Sequence, residues 1–205
     1  MTDSSTGASA PILLAFSGGL DTSFLVPWLK ETYGRPVVTL TVDTGGIDAE
    51  AARVLESRSK ALGAVEHHLF DARKVYFDTV LRFLVMGNVR RGQLYPLCVG
   101  AERAIQAQMV ALWAKKVGTT TIAHGCTAAG NDQVRFEVAL RTLAPGLEIV
   151  APVRDYAFKR PDQLAFLEER KLPVPPARLQ KTLFSATILE KPSASCGVHS
   201  PTASP

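Results

Sequence analysis

The chain has 205 residues, of which 46% are hydrophobic and 20% are charged, and its formal net charge is +4. This length and composition predict one sizeable globular domain with a packed core and leave little room for a second domain. No run of lysine or arginine forms a basic stripe, so we expect no nucleic-acid partner, and a bound nucleotide is enough to balance the mild positive charge.

The amino terminus and the cysteines indicate the cellular environment of the chain. Residues 1–10 are small and polar, lack the charged and apolar regions of a signal peptide, and predict a flexible amino terminus. No apolar run is long enough to span a bilayer, so we expect no membrane segment. Cys98, Cys126 and Cys196 are far apart and lack metal-ligand spacing. Free thiols in a reducing, cytoplasmic environment are therefore expected.

The first predicted strand leads directly into a glycine-containing loop. Residues 12–16 are apolar throughout, and the sequence Ser-Gly-Gly-Leu-Asp-Thr-Ser follows at residues 17–23. A helix is expected to begin near Phe24, and its unpaired N–H groups and positive dipole end would favour an anion. Gly18 and Gly19 permit positive φ and close approach of the backbone to a ligand.

The polar side chains of this loop suit a phosphate group. The hydroxyls of Ser17, Thr22 and Ser23 can donate to phosphate oxygens. Asp21 would repel a phosphate unless a divalent cation lay between them or the carboxylate oriented a neighbouring donor, so we expect Mg²⁺, with Asp21 as a candidate ligand. No lysine follows the glycines as in loops that bind a transferred γ-phosphate. The alternative is a strand-to-helix turn that binds nothing.

Strands and helices alternate along the rest of the chain. Further strands are predicted at residues 37–42, 65–70, 119–123 and 147–150, and further helices at residues 48–62, 73–86, 102–116 and 132–143. In the helix at 102–116, we expect Ile105, Met109, Leu112 and Trp113 to share one core-facing side. Pro27 costs the first helix little stability if that helix begins near Phe24, because the proline then lies in the first turn. The alternation predicts an α/β fold, a doubly wound parallel sheet with helices on both faces.

Two later segments should share a sheet edge with the loop. In such a sheet the ligand lies outside the carboxyl ends of the strands, where the strand order reverses. Residues 43–46 and 124–127 each follow a predicted strand, so we expect them to face the same pocket. Val42 would then offer backbone to an adenine, and Gly125 would let the chain pass close to the nucleotide. Each segment could equally be an ordinary turn.

A cluster of mixed polar groups begins just after the fourth predicted strand. A hydroxyl (Thr127), an amide (Asn131), a carboxylate (Asp132) and a guanidinium (Arg135) fall within nine residues. Small zwitterions need this mixture, because a carboxylate pairs with their ammonium group and amide or guanidinium donors pair with their carboxylate. Asn131 and Asp132 are also good helix caps, and Arg135 could be a surface charge. We expect His124 to be a structural residue of the rim.

Several motifs together resemble one enzyme family. The loop resembles the pyrophosphate (PP) loop of ATP-pyrophosphatases, which cleave ATP between the α- and β-phosphates. With the sequence Gly-Asn-Asp-Gln-Val-Arg-Phe at 130–136, Leu-Ala-Pro at 143–145 and Val-Ala-Pro at 150–152, the chain is similar to argininosuccinate synthases over residues 11 to about 176. The resemblance implies an adenine nucleotide α-hydrolase-like fold for this PP-loop domain, residues 11–176.

The resemblance also implies an activity and a set of binding residues. The family joins citrulline to aspartate for arginine biosynthesis, with ATP and Mg²⁺, through a citrullyl-adenylate and without a covalent enzyme intermediate. The residues implied to bind ATP are Ala15, Phe16, Ser17, Gly18, Gly19, Leu20, Asp21, Thr22, Ser23, Val42 and Gly125. The residues implied to bind citrulline are Tyr95, Gly100, Asn131 and Arg135. Those implied to bind aspartate are Thr127, Asn131 and Asp132.

The chain also departs from the family pattern. Gly100 stands where many members have a serine that helps to bind citrulline, and Ala129 stands where many have a lysine. Members continue into a second domain that completes the substrate sites and a carboxyl-terminal helix used to form a homotetramer. Residues 177–205 match neither, and their richness in proline, serine and alanine predicts a disordered tail. We therefore expect a truncated or frameshifted product.

Two alternative functions stay open at this point. The chain could be an ATP-binding module without turnover, or one that needs a partner chain carrying the missing domain. It could also be another PP-loop adenylating enzyme, such as a tRNA-modifying or amidotransferase member. This last class is disfavoured, because the sequence has no cysteine pair for sulfur transfer, no basic patch for tRNA and no amino-terminal nucleophile.

Overall fold

The computed structural model describes residues 10–92, 95–127 and 131–176, and within them strands and helices alternate as predicted. The strands are β1 (Ile12–Ala15), β2 (Val37–Asp43), β3 (Glu66–Asp71), β4 (Arg90–Arg91), β5 (Tyr95–Pro96), β6 (Thr121–His124) and β7 (Glu148–Val150). The helices are α1 (Leu20–Tyr33), α2 (Ala49–Ala61), α3 (Arg73–Tyr76), α4 (Arg82–Met86), α5 (Cys98–Val117), α6 (Asn131–Leu143), α7 (Pro152–Asp155) and α8 (Arg160–Glu169), and a π-helical segment, Phe77–Leu81, joins α3 to α4.

Five strands form one parallel sheet in the order β3-β2-β1-β6-β7. The strand order reverses at β1, whose last residue, Ala15, is paired with Leu40 of β2 and His124 of β6. The predicted doubly wound parallel sheet is therefore confirmed. The loops that follow β1 and β6 lie side by side at one edge, which is where ligands bind in sheets of this kind.

The sheet is covered on both faces, and β1 shows why its residues are all apolar. Ile12 and Leu14 pack into a core with α1, α2 and α8, whereas Leu13 and Ala15 pack into a second core with α5 and α6. All four side chains are buried. Alternate residues of a strand face opposite sides, so a strand covered on both sides must be apolar at every position.

The first helix begins earlier than the sequence predicts. Gly19 is its N-cap, and α1 continues through Pro27, which is the eighth helical residue and is buried. The expected start near Phe24 is therefore wrong, and Pro27 lies beyond the first turn. The helix can begin at Leu20 because Gly19 adopts the extended conformation of an N-cap and Asp21 brings a negative charge to the positive end of the helix.

Other elements also differ from the prediction. The helix α5 begins at Cys98 rather than Glu102, and Leu112, predicted to face the core, is 54% exposed. The single helix predicted at 73–86 contains the π-helical segment. The antiparallel β4–β5 pair and α8 were not predicted. The helix α8 is held by hydrogen bonds to side chains of α1, which are distant in the sequence and which no local pattern records.

The predictions about thiols, the tail and the membrane have separate outcomes. Cys98 and Cys126 are not joined in a disulfide, and Cys196 lies outside the described residues, as do the predicted flexible amino terminus and disordered tail. Of the helices that the structure describes, none is both long enough and apolar enough to cross a membrane.

Candidate functional site

A cleft open to solvent lies outside the carboxyl ends of β1 and β2. Its walls come from the ends of these strands, the segments that follow them, and two helices. The lining residues are Ala15, Phe16, Ser17, Leu40, Thr41, Val42, Asp43, Thr44, Gly45, Ile47, Glu102, Gln106, Val110 and Phe136. Residues 43–45 and Ser17 thus line one cleft, whereas residues 124–127, which were predicted to face the same pocket, are not among its lining residues.

Gly18 gives the loop after β1 its shape. Its φ of +74° is in the left-handed region, and a Cβ atom built there would overlap the side chain of Leu55 on α2. Only glycine satisfies both conditions, since other residues are strained at positive φ and would clash with Leu55. The loop is therefore pressed against α2 at Gly18.

Arg58 of α2 fixes the orientation of one peptide unit of the loop. Its Nη1 donates to the carbonyl oxygen of Gly18 at 2.9 Å. The carbonyl of Gly18 and the N–H of Gly19 belong to one planar peptide and point in opposite directions. The N–H of Gly19 accordingly faces away from α2, where its contact is a long hydrogen bond of 3.4 Å to Ser17 Oγ. Burial lowers the pKa of the Arg58 guanidinium, which still remains charged at neutral pH.

The loop hydroxyls differ in their surroundings. Ser17 is partly exposed, and its Oγ lies 3.2 Å from the Oγ1 of Thr22, which donates to the carbonyl of Gly19 at 3.3 Å. Ser23 is fully buried, and its Oγ has no hydrogen-bond partner among the described residues. Of the three hydroxyls expected to donate to a phosphate, only that of Ser17 lines the cleft.

Asp21 is held by a helix that is distant in the sequence. Its Oδ1 accepts a hydrogen bond of 2.9 Å from Nε2 of Gln163, which lies on α8 and is 1% exposed. The second carboxylate oxygen of Asp21 makes no hydrogen bond to the described residues. No group of three or more histidine, cysteine, aspartate or glutamate side chains in the described parts of the chain could hold a metal. A Mg²⁺ ion bound by Asp21 and phosphate oxygens would need no such group.

Gly125 lies against the first turn of α1. A Cβ atom at this position would come within 3.0 Å of Thr22 Cγ2 and 3.2 Å of Asp21 Cβ. The chain that leaves β6 therefore passes directly over the start of α1. A larger residue here would push that first turn aside.

The end of β2 brings polar groups into the cleft. Asp43 is 4% exposed, its Oδ1 accepts from the N–H of Gly45 at 2.8 Å, and its Oδ2 lies 3.6 Å from Nε of Arg73. Thr44 donates to Oε1 of Glu102 at 2.5 Å. The cleft therefore has an apolar interior and a polar margin formed by β2 and α5.

The residues expected to bind amino acids lie at the start of α5 and α6. A Cβ atom at Gly100 would be 3.2 Å from Cζ of Arg135, so these two residues are in contact across the helices. Thr127 and Asn131 are exposed. The side chains of Tyr95 and Asp132, and the whole of Ala129, lie outside the part of the chain that the structure describes. Their assigned roles stay predictions.

Buried groups support the segment that follows β6. His124 is 1% exposed, burial lowers its pKa to about 4, and its Nδ1 accepts from the N–H of Cys126 at 3.3 Å. Burial opposes ionisation of Glu137, but hydrogen bonds from Arg141 and Arg154 lower its pKa to about 2. His124 is therefore neutral at pH 7, and its position agrees with a structural role.

Sequence reasoning missed four polar residues around the site: Arg58, Glu102, Gln106 and Gln163. Each lies on a helix remote in sequence from the loop, with neighbours that give no motif. Arg58 and Gln163 contact the loop, and Glu102 and Gln106 line the cleft. Only the folded arrangement brings them together.

Comparison with known proteins gives a consistent result. Residues 11–173 match the family model described as "Arginosuccinate synthase N-terminal HUP domain". The chain is 37% identical over 168 residues to a protein named argininosuccinate synthase from Dictyoglomus turgidum, covering 82% of this chain and 42% of that protein. It is also 37% identical over 164 residues to proteins of the same name from two strains of Streptococcus suis, covering 80% of this chain and 40% of each relative. The chain thus spans about two fifths of the length of these relatives.

Proposed function

The chain belongs to the argininosuccinate synthase family, and on that premise we propose that it takes part in the ATP-dependent ligation of citrulline to aspartate. In this reaction the ureido oxygen of citrulline attacks the α-phosphate of ATP and pyrophosphate leaves. The amine of aspartate then displaces AMP from the citrullyl-adenylate to give argininosuccinate. The enzyme class is a C–N ligase.

The observation that carries the proposal is the loop after β1, which is shaped before any ligand arrives. Gly18 is pressed against α2, Arg58 turns the N–H of Gly19 away from that helix, and no side chain in the described parts of the chain caps the start of α1. Several N–H groups can therefore converge on the leaving pyrophosphate. Donors fixed in place before the reaction stabilise developing charge without a cost of reorganisation.

Asp21 supports the same reaction from the first turn of α1. We assign it to a Mg²⁺ ion that would neutralise phosphate charge when bound. The bond from Gln163 fixes the position of the carboxylate, because Gln163 is itself almost fully buried. The cleft between this loop and Val42 would hold the nucleoside.

The two amino acids are assigned to the rim beside the cleft. Citrulline would contact Arg135 and Asn131, with Tyr95 and the backbone of Gly100, and aspartate would contact Thr127, Asn131 and Asp132. The contact of Arg135 with Gly100 supports this grouping, since it joins two of the four citrulline residues. Catalysis would then depend on holding two substrates against the α-phosphate rather than on a covalent intermediate.

A second candidate is an ATP-binding module that does not turn over by itself. It is favoured by one contrast in the site, because Thr127 and Asn131 are exposed whereas the loop after β1 is enclosed by two helices. Side chains that are exposed fix a small ligand poorly. Assembly as a homotetramer and the identity of any partner that completes the site stay predictions.

The test is pyrophosphate release by the purified 205-residue chain with ATP and Mg²⁺, in the presence and absence of citrulline and aspartate. Release that requires citrulline supports the ligase, and Asp21→Asn should reduce it. ATP binding without release supports the second candidate. A folded sample that neither binds ATP nor releases pyrophosphate would refute both.

A further inference from the structure

The carboxylate of Glu102 lies in the wall of the cleft and has no role in the function proposed above. It lies in the second turn of α5, is partly exposed, and lines the same cleft as Ser17 and Val42. Its Oε1 accepts two hydrogen bonds, from Thr44 at 2.5 Å and from Nε2 of Gln106 at 3.1 Å. Oε2 makes no hydrogen bond within the described residues. The carboxylate therefore keeps an acceptor for a ligand.

A relay of hydrogen bonds holds this carboxylate in one orientation. Nη1 of Arg103 donates to Oε1 of Gln106 at 2.9 Å, and this contact fixes which side of the Gln106 amide faces Glu102. Arg103 is 2% exposed and Gln106 is 7% exposed, so both side chains have little freedom. Thr44 holds the same carboxylate oxygen from the end of β2. A group fixed in this way needs little ordering when a ligand binds.

The other carboxylate of the cleft is already satisfied. Asp43 accepts from the N–H of Gly45 and lies beside Arg73, and it is 4% exposed. Glu102 differs because one of its oxygens is uncommitted. An ionised carboxylate accepts hydrogen bonds and donates none, so the group that it binds must carry an N–H or O–H.

The rest of the cleft indicates where that donor would come from. The loop at Ser17 is placed for phosphates, and Leu40, Val110 and Phe136 form an apolar wall for a flat ring. A carboxylate beside the phosphates would repel them, but one beside the nucleoside can accept from a ribose hydroxyl or from the amino group of adenine.

We propose that Glu102 is a specificity-determining residue of the nucleotide site, with Oε2 accepting a hydrogen bond from a donor of the nucleoside. The proposal rests on the ATP binding proposed above. It adds a contact that the loop after β1 does not provide, and it predicts that the site distinguishes nucleotides by a single donor group.

The test compares the chain with the variant Glu102→Gln. A glutamine can keep its carbonyl oxygen on Thr44 and Gln106. Its amide nitrogen then replaces Oε2, so the acceptor is lost without a change in shape. Glu50→Gln is the matched control, because Glu50 is an exposed residue of the first turn of α2. Thermal unfolding of each variant shows that it is folded.

Dissociation constants are measured with Mg²⁺ for ATP, 2′-deoxy-ATP, 3′-deoxy-ATP, inosine triphosphate and pyrophosphate. We expect Glu102→Gln to weaken ATP binding about tenfold, as for loss of a hydrogen bond to a charged group, and to leave pyrophosphate binding unchanged. Loss of discrimination against either deoxy nucleotide in the variant identifies a ribose hydroxyl as the donor. Loss of discrimination against inosine triphosphate identifies the adenine amino group.

The outcomes separate this proposal from the proposed function. If the variant binds ATP as tightly as the unmodified chain, or keeps the same ratios among the nucleotides, the role of Glu102 is refuted while ATP binding stands. If the unmodified folded chain binds none of the nucleotides, the proposed function fails, and the role of Glu102 fails with it.

Discussion

Two regions at the same edge of the sheet are built differently. The phosphate loop, residues 17–23, is held from three directions: by Arg58 of α2, by Gln163 of α8 and by the backbone at Gly125. The second rim segment, residues 124–127 and 131–135, has a buried anchor in His124 but exposed side chains at Thr127 and Asn131.

The difference follows from what each region is proposed to bind. Phosphates carry a large charge, and backbone N–H groups can bind them only if the peptide planes are fixed in advance. Small amino acids are bound by individual side chains, which can vary without altering the backbone. We therefore expect substitutions in the phosphate loop to affect both folding and nucleotide binding. Substitutions in the second rim segment should mostly affect the choice of substrate.

Gly18→Ala should have the largest effect. The new Cβ atom would be strained at a φ of +74° and would overlap Leu55. We expect the free energy of unfolding to fall by about 2–4 kcal/mol, measured by urea denaturation.

Gly34→Ala is the matched control for Gly18→Ala. Gly34 has a φ of +61°, but nothing lies within 4 Å of a Cβ atom built there. Gly34→Ala should lower the free energy of unfolding by about 1 kcal/mol, which is the strain of positive φ alone. Equal losses in the two variants would show that the packing of Gly18 on α2 contributes nothing.

The parts of this comparison that could be predicted from sequence are the local ones. The loop, the alternation of strands and helices and the shared sheet edge follow from short patterns, because a buried parallel strand must be apolar and a tight turn needs glycine. The contacts of Arg58 and Gln163 join positions 40 and 142 residues apart. No local pattern carries that information.

The errors in the prediction have physical causes too. The first helix was expected to begin near Phe24, whereas the N-cap at Gly19 places its start at Leu20. Leu112 fitted the helical spacing of the core residues but lies at the edge of the stripe, where α5 turns to solvent. Periodicity gives a face of a helix but not its width.

A change of pH tests the anchor of the second rim segment. The pKa of His124 is about 4 in the folded protein and about 6.5 when unfolded. Between these values the unfolded chain binds more protons, so stability is lost as pH falls from 6.5 towards 4. The loss from this residue is about 1.4 kcal/mol per pH unit, or about 2 kcal/mol between pH 6.5 and 5.

The variant His124→Asn isolates this contribution, because asparagine can accept the hydrogen bond from Cys126 and does not titrate. Urea denaturation at pH 7, 6 and 5 should show a shallower pH dependence in the variant. His67, whose pKa burial also lowers to about 4, is unchanged in both proteins. The pKa of Glu137 is about 2, so the loss of its stabilisation lies mainly below pH 5. Parallel curves would mean that folding does not lower the pKa of His124.

Arg58→Gln should weaken ligand binding more than it weakens folding. Loss of the charged donor releases the carbonyl of Gly18, so the N–H of Gly19 is no longer aimed away from α2. We expect pyrophosphate and ATP to bind about tenfold more weakly by titration calorimetry, the loss typical of one charged hydrogen bond.

Two further variants sharpen the result for Arg58. Arg53→Gln removes an exposed arginine of the same helix and should leave binding unchanged. Arg58→Lys keeps the charge but lacks the planar guanidinium, so its affinity for the ligands should lie between those of Arg53→Gln and Arg58→Gln. If Arg53→Gln and Arg58→Gln weaken binding equally, the effect comes from net charge rather than from the orientation of the peptide.

Gly100→Ser should have the smallest effect on stability and a specific effect on citrulline. A Cβ atom at position 100 would lie 3.2–3.4 Å from the guanidinium of Arg135, which is the far end of a long side chain, so an adjustment of a few tenths of an ångström is enough. Serine is also better than glycine inside a helix, so the unfolding free energy should change by less than about 0.5 kcal/mol. The added hydroxyl would tighten citrulline binding about threefold, as one neutral hydrogen bond does.

Gly146→Ser, with nothing within 4 Å of its Cβ, is the control for a surface serine. Tighter citrulline binding at unchanged stability would show that single side chains tune the second rim segment, whereas a large loss of stability would mean that it is as tightly packed as the phosphate loop.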